Sequence, residues 1–121
     1  MNRNYKVLKA ILIILIFAGC RIKTEKPLSV MLGKEYIYTC SDGSKVKARF
    51  GELSDNSLTF VKIVMPDGKE FTLPQLVSAS GARYSNEHEM EFWIKGDNVT
   101  ISTINDDGKW VIVAEGKTET K

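Results

Sequence analysis

From Gly33 onward, apolar side chains recur mostly at every second position, and no segment carries a convincing period of 3.6. Alternation of this kind marks strands that bury one face and wet the other. Tyr36, Tyr38 and Cys40 alternate in one segment, and Val46, Ala48 and Phe50 in the next. Between them lies Ser41-Asp42-Gly43-Ser44, and Asp-Gly signals a hairpin because glycine accepts the positive φ of a tight reversal. The same device returns as Pro66-Asp67-Gly68-Lys69 and Asp106-Asp107-Gly108-Lys109, at unequal separations that make these turns rather than a repeat. Further strands are predicted over Ser57 to Met65, Glu70 to Leu76, Glu89 to Lys95, Val99 to Ile104 and Lys109 to Ala114. Seven or eight short strands joined mainly by hairpins predict an all-β meander. Closure into a small antiparallel β-barrel removes exposed edges, with a two-sheet sandwich as the alternative. Inward side chains nearly fill so small a barrel, so no large internal ligand cavity is expected.

The first twenty residues follow a different pattern. Arg3, Lys6 and Lys9 precede an apolar run from Ala10 to Ala18, and Gly19 and Cys20 follow. Basic, apolar and small residues in that order form a secretory signal, and the run is about half of what a membrane-spanning helix needs. Phe17-Ala18-Gly19-Cys20 resembles the bacterial lipobox, with Phe17 where that pattern usually has Leu or another aliphatic residue. The resemblance implies cleavage before Cys20, lipidation of its thiol and amine, and residues 1–19 as signal peptide. An ordinary leader cut nearby is the other reading. Residue Arg21 in place of Asp implies outer-membrane retention facing the periplasm. Residues 20–32 then serve as lipidated cysteine and tether, and residues 33–117 as the folded domain.

Export changes the charge and cysteine arithmetic. The chain has 17 basic and 15 acidic residues, but three of the basic ones sit in the leader, so the mature chain holds fourteen against fifteen, a net −1. No basic tract interleaved with aromatics remains, which argues against nucleic acid as a partner. With Cys20 consumed by lipid, Cys40 has no partner cysteine in the chain. Burial beside Tyr36 and Tyr38 as an inert thiol is the favoured reading, and pairing between two molecules in a homodimer is the other.

The stretch most informative about function runs from Ser78 to Gly96. A small-residue loop, Ser78-Ala79-Ser80-Gly81-Ala82, leads towards a strand that places Met90, Phe92 and Ile94 on one face and Glu91, Trp93 and Lys95 on the other. Inward burial of the apolar trio projects Lys95 outward at the strand end, beside the Gly96-Asp97-Asn98 turn. Ser80-Gly81-Ala82-Arg83-Tyr84 followed by Phe92-Trp93-Ile94-Lys95-Gly96 resembles the signature of the membrane-bound and periplasmic inhibitors of C-type lysozyme, the MliC/PliC family. Tyr38-Thr39-Cys40 and Asp42-Gly43 resemble that family's first strand and turn. The spacer between the two main blocks is about one residue longer than in the family pattern. The family fold is an eight-stranded antiparallel barrel, often lipid-anchored. Its cysteine at the position of Cys40 commonly pairs with one near the C-terminus, which this chain lacks.

The resemblance implies a mechanism. A C-type lysozyme works with two carboxyl groups in a cleft, one protonated and one ionised. By resemblance, Ser80 supplies a hydroxyl and Lys95 an ammonium to that pair, with Gly81, Arg83 and Tyr84 completing the lysozyme-binding set. Loss of one partner of such a buried charged contact costs about 2 to 5 kcal/mol, and loss of a neutral hydroxyl contact about 1. Without the resemblance, Ser80 reads as a turn residue and Lys95 as a strand-end charge that discourages aggregation. Arg83 is expected to pair with an acid such as Glu87 or Glu89. His88, the only histidine, reads as a solvated loop residue rather than a metal ligand, and no cofactor is expected. Neither a nucleophile-and-base set nor a phosphate cradle is visible, so the expected class is a non-enzymatic inhibitor. The alternatives are an envelope lipoprotein that binds glycan or an endogenous cell-wall enzyme, and a purely structural lipoprotein.

Overall fold

A computed structural model describes Gly19 and residues 22–119; the expected signal peptide, apart from Gly19, and the expected lipidation at Cys20 lie outside the described residues. Eight strands follow in order: β1 Val30–Cys40, β2 Lys45–Leu53, β3 Thr59–Val64, β4 Glu70–Leu76, β5 Ala82–Ser85, β6 Met90–Lys95, β7 Asn98–Ile104 and β8 Trp110–Thr118. Each pairs antiparallel with its neighbours in sequence, and β8 returns to β1 to close a barrel. The meander predicted by the alternation is therefore present, and the sandwich alternative is not.

The three Asp-Gly turns share one construction. Gly43, Gly68 and Gly108 all have positive φ, at 82°, 88° and 73°. In each, the residue three before the glycine accepts its N–H through its carbonyl, and that same residue donates its own N–H across the hairpin. The Asp42 and Asp67 carboxylates accept the N–H two residues on, at 2.9 and 3.0 Å, which sets the loop conformation locally. Asn105 does the equivalent work in the third turn.

Alternation decides what fills the barrel. Tyr38, Cys40, Val46, Ala48, Val61, Ile63, Leu73, Tyr84, Met90, Phe92, Val99 and Ile101 point inward as one cluster. The Tyr38 and Phe92 rings meet edge to face with centroids 5.5 Å apart, a favoured aromatic geometry. Cys40 is a buried free thiol. The largest boundary differences from the sequence reading fall in the first and last strands. β1 opens at Val30, three residues ahead of Gly33, and β8 runs on past Ala114 to Thr118. The last stretch is what closes the barrel, pairing Gly116, Lys117 and Thr118 with Cys40, Thr39 and Tyr38. β5 was not among the strands predicted by alternation, because its four residues sit between a small-residue loop and a charged turn.

Burial of Tyr38, first, and the negative groups facing it, second, push its phenol from 10.0 to about 12. A raised acid pKa means that the neutral phenol is favoured in the fold, so this contribution is complete below pH 10 and drains away as pH rises towards 12. By about pH 11 the fold should lose roughly 1 kcal/mol from this residue alone. Urea unfolding of the wild type and Tyr38→Phe at both pH values checks this: the phenylalanine variant should show the smaller loss, and equal losses would remove Tyr38 as the source.

Candidate functional site

In an all-adjacent antiparallel barrel, alternate connections share an end. The start of β1, the loop before β3, the loop of residues 77–81 before β5, and the Gly96-Asp97 turn therefore sit together. The candidate residues cluster on this end around β5 and β6.

β6 behaves as its alternation requires. Met90 and Phe92 are buried and Ile94 packs on the core, so Glu91, Trp93 and Lys95 face out. β5 pairs Arg83 with Trp93 and Tyr84 with Phe92, which fixes which of its side chains follow them. Tyr84 consequently turns inward. It is 5% exposed, its ring lies 5.6 Å from that of Phe50, and burial raises its phenol pKa. Tyr84, placed in the lysozyme-binding set by the resemblance, sits in the core, where it supports β5 from beneath. Arg83 faces out, but its partner is Glu91 across the β5–β6 pair, Nε to Oε2 at 2.6 Å, rather than Glu87 or Glu89. Both side chains are largely shielded from water, so the pair braces the outer face of the hairpin.

Ser80, Gly81 and Lys95 are all exposed, and the half-buried Trp93 contacts two of them. Its indole Nε1–H donates to the Ser80 carbonyl at 2.9 Å, while the Lys95 ammonium sits 4.7 Å from its ring centroid. A cation over an indole face at an exposed position is worth about 0.5–1 kcal/mol, enough to bias where the ammonium rests. The Ser78 hydroxyl is shared between the carbonyls of Ser80 and Gly81, at 3.1 and 3.0 Å, and folds the loop on itself. Gly81 has φ +68°, and a Cβ there would stand 2.2 Å from the Ile94 carbonyl oxygen. Glycine is thus needed both for the left-handed backbone and for the close approach of loop to β6. Sequence reasoning left Trp93 out of the site; the available signal was its place on the outward face, where a large aromatic has no packing reason to be.

The opposite end differs. His88 is exposed in the β5–β6 turn, its Nδ1 2.6 Å from the Asn86 carbonyl oxygen. Among the described residues no three His, Cys, Asp or Glu side chains gather as a metal set, and no helix is long and apolar enough to cross a membrane.

A family model described as membrane-bound lysozyme-inhibitor of c-type lysozyme, MliC, matches residues 38–110, a span that holds the whole loop and β6. A membrane-bound lysozyme inhibitor of C-type lysozyme from Yersinia enterocolitica is 34% identical over 88 residues, 73% of this chain and 64% of that protein. Another of the same description from Cupriavidus necator is 36% identical over 64 residues, covering 53% of this chain and 48% of its own. The chain thus spans less than two thirds of the length of either curated relative. Pseudomonas aeruginosa MliC, solved in complex with hen egg white lysozyme, shares the fold at a TM-score of 0.56 and 18% identity, over 81% of this chain and 92% of that one. With well over half its length matched by the family model, the chain belongs to the MliC family, the membrane-bound lysozyme inhibitors of C-type lysozyme.

Proposed function

We propose that this protein inhibits C-type lysozyme by seating the loop around Ser80, together with Lys95, in the enzyme's active-site cleft. The observation that carries the reading is the Trp93 indole, which holds the Ser80 carbonyl with its N–H and the Lys95 ammonium on its face. The Ser80 backbone and the Lys95 ammonium are thereby held to one indole, and the hydroxyl and ammonium of these two residues are the pair of groups that one protonated and one ionised carboxyl group would accept. Arg83, held by Glu91, maintains the hairpin rather than reaching for the cleft. A net mature charge near zero gives weak steering, so affinity rests on the inserted groups.

Residual activity of a C-type lysozyme on bacterial cell walls, titrated with detergent-solubilised full-length chain, tests this. Lys95→Ala should weaken inhibition by about 2 kcal/mol, roughly thirtyfold, the lower end of the range for a charged contact because the free ammonium is exposed. Ser80→Ala should cost about 1 kcal/mol, roughly fivefold. Folded wild type that leaves lysozyme untouched at micromolar concentration would sink the assignment.

In this reading Cys20 carries lipid and holds the barrel at the outer membrane, facing the periplasm. Residues 22–29 form no strand and are exposed until Ser29 docks on Ser54 through two hydrogen bonds, consistent with a tether. Cys20→Ser should move the protein from the membrane pellet to the soluble fraction of lysed cells; an unchanged distribution would reject the anchor.

A further inference from the structure

We propose that the outer edge of β8, Trp110 to Ala114, is a self-association surface on which a second copy of this chain pairs the same segment antiparallel, about a two-fold axis at Ile112. β7 pairs with β8 along its whole length, from Trp110 to Lys117. β1 reaches only Gly116 to Thr118, and after Cys40 the chain turns away; the last contact is the Ser41 N–H and hydroxyl on the Glu115 carbonyl. The edge above it pairs with no strand among the described residues. Four consecutive large apolar side chains stand on it: Trp110 is 39% exposed, Val111 38%, Ile112 62% and Val113 51%. An exposed apolar edge of this kind is a ready template for another strand.

The occupant follows from what flanks the segment. With Ile112 opposite its own copy, Lys109 faces the partner's Glu115, Trp110 faces the partner's Ala114, and Val111 faces the partner's Val113. Opposite charges meet at both ends, and the largest residue meets the smallest. Lys109 and Glu115 are exposed, and neither has an ion-pair partner among the described residues. No charge lies between them to oppose the pairing. The other free edge, on β1 below Tyr38, carries Lys34 and Glu35 beside a bulge, devices that discourage pairing. A bulge at Val113 bends the β8 edge as well, which keeps the contact short and the dimer concentration-dependent. This edge lies at the barrel end away from Ser80, so two paired copies keep both loops open.

Oxidative crosslinking of the full-length chain in mild detergent tests the register. Ile112→Cys meets itself at the 4.5–5.5 Å Cα spacing of opposed antiparallel residues, inside disulfide range, and should give at least about tenfold more disulfide dimer than Val77→Cys, a fully exposed loop control. Wild type, with only buried Cys40 in the barrel, sets the background. By sedimentation, wild type should shift from monomer towards dimer as concentration rises to about 100 µM, and Ile112→Lys should stay monomeric with unchanged circular dichroism. Equal crosslinking of the two cysteine variants, a monomeric wild type throughout, or a ladder of higher species from β8-to-β1 pairing would each overturn the proposal.

Discussion

Gly81→Ala is expected to weaken lysozyme inhibition by more than about a hundredfold, beyond either Ser80→Ala or Lys95→Ala, although alanine adds one methyl group and removes no contact. Two costs converge on it. The left-handed backbone at φ +68° is worth about 1–2 kcal/mol against alanine. The new Cβ would also meet the Ile94 carbonyl oxygen at 2.2 Å and Lys95 Cγ at 2.9 Å. The lysine stem can move, but the carbonyl belongs to a β6 strand paired on both sides and cannot. Relief comes only by lifting the loop off β6, which breaks the Trp93 to Ser80 bond and separates the hydroxyl from the ammonium. Both inserted contacts then fail together, about 3 kcal/mol in all. The barrel itself should survive with a modestly lowered melting temperature, since Gly81 is exposed and outside the core cluster. Inhibition titration beside thermal melting separates the two effects. Inhibition within threefold of wild type would show that loop shape is not what the enzyme reads.

The same loop shows what a sequence can and cannot disclose. Turn chemistry is local, so the Asp-Gly hairpins, the inward trio of β6 and the outward Lys95 were all legible from spacing. Register is not local. Which acid meets Arg83 depends on Ser85 pairing with Glu91 across the hairpin, and counting along the chain favoured the nearer Glu87 and Glu89. Tyr84 stands next to Arg83 in an apparent motif, yet strand parity sends the two to opposite sides of the sheet. The extension of β8 through Glu115-Gly116-Lys117 reads as a strand end, because charge and glycine weaken strand signals; only closure against β1 makes it a strand. Trp93 needed both neighbours in place before its indole could be seen to bridge them.

Closure also identifies where the fold is most easily strengthened. The β1–β8 seam consists of three residue pairs, more than only the two of β4–β5 and fewer than the four to eight of the others, so it depends strongly on local chemistry. At that seam Cys40 pairs directly with Gly116, and a Cβ built on the glycine lies 3.3 Å from the cysteine sulfur. Carbon and sulfur across a disulfide stand about 3 Å apart, and opposed antiparallel residues have a suitable Cα spacing. Gly116→Cys is therefore expected to form a disulfide with Cys40 after a shift of a few tenths of an ångström away from the Thr39 carbonyl, which lies 3.2 Å from the new Cβ. The closed loop would span most of the barrel, for which chain-entropy arguments give an upper limit of about 4.5 kcal/mol and engineered bridges commonly deliver less. A gain of about 2–4 kcal/mol corresponds to a melting temperature higher by roughly 10 °C or more. The gain should vanish with reductant, and thiol titration of the oxidised, unfolded variant should find neither Cys40 nor the new cysteine free. Two free thiols under oxidising conditions would mean that the seam opens wider than its pairing indicates. A bridge that forms without raising the melting temperature would instead place the weak point of the barrel elsewhere.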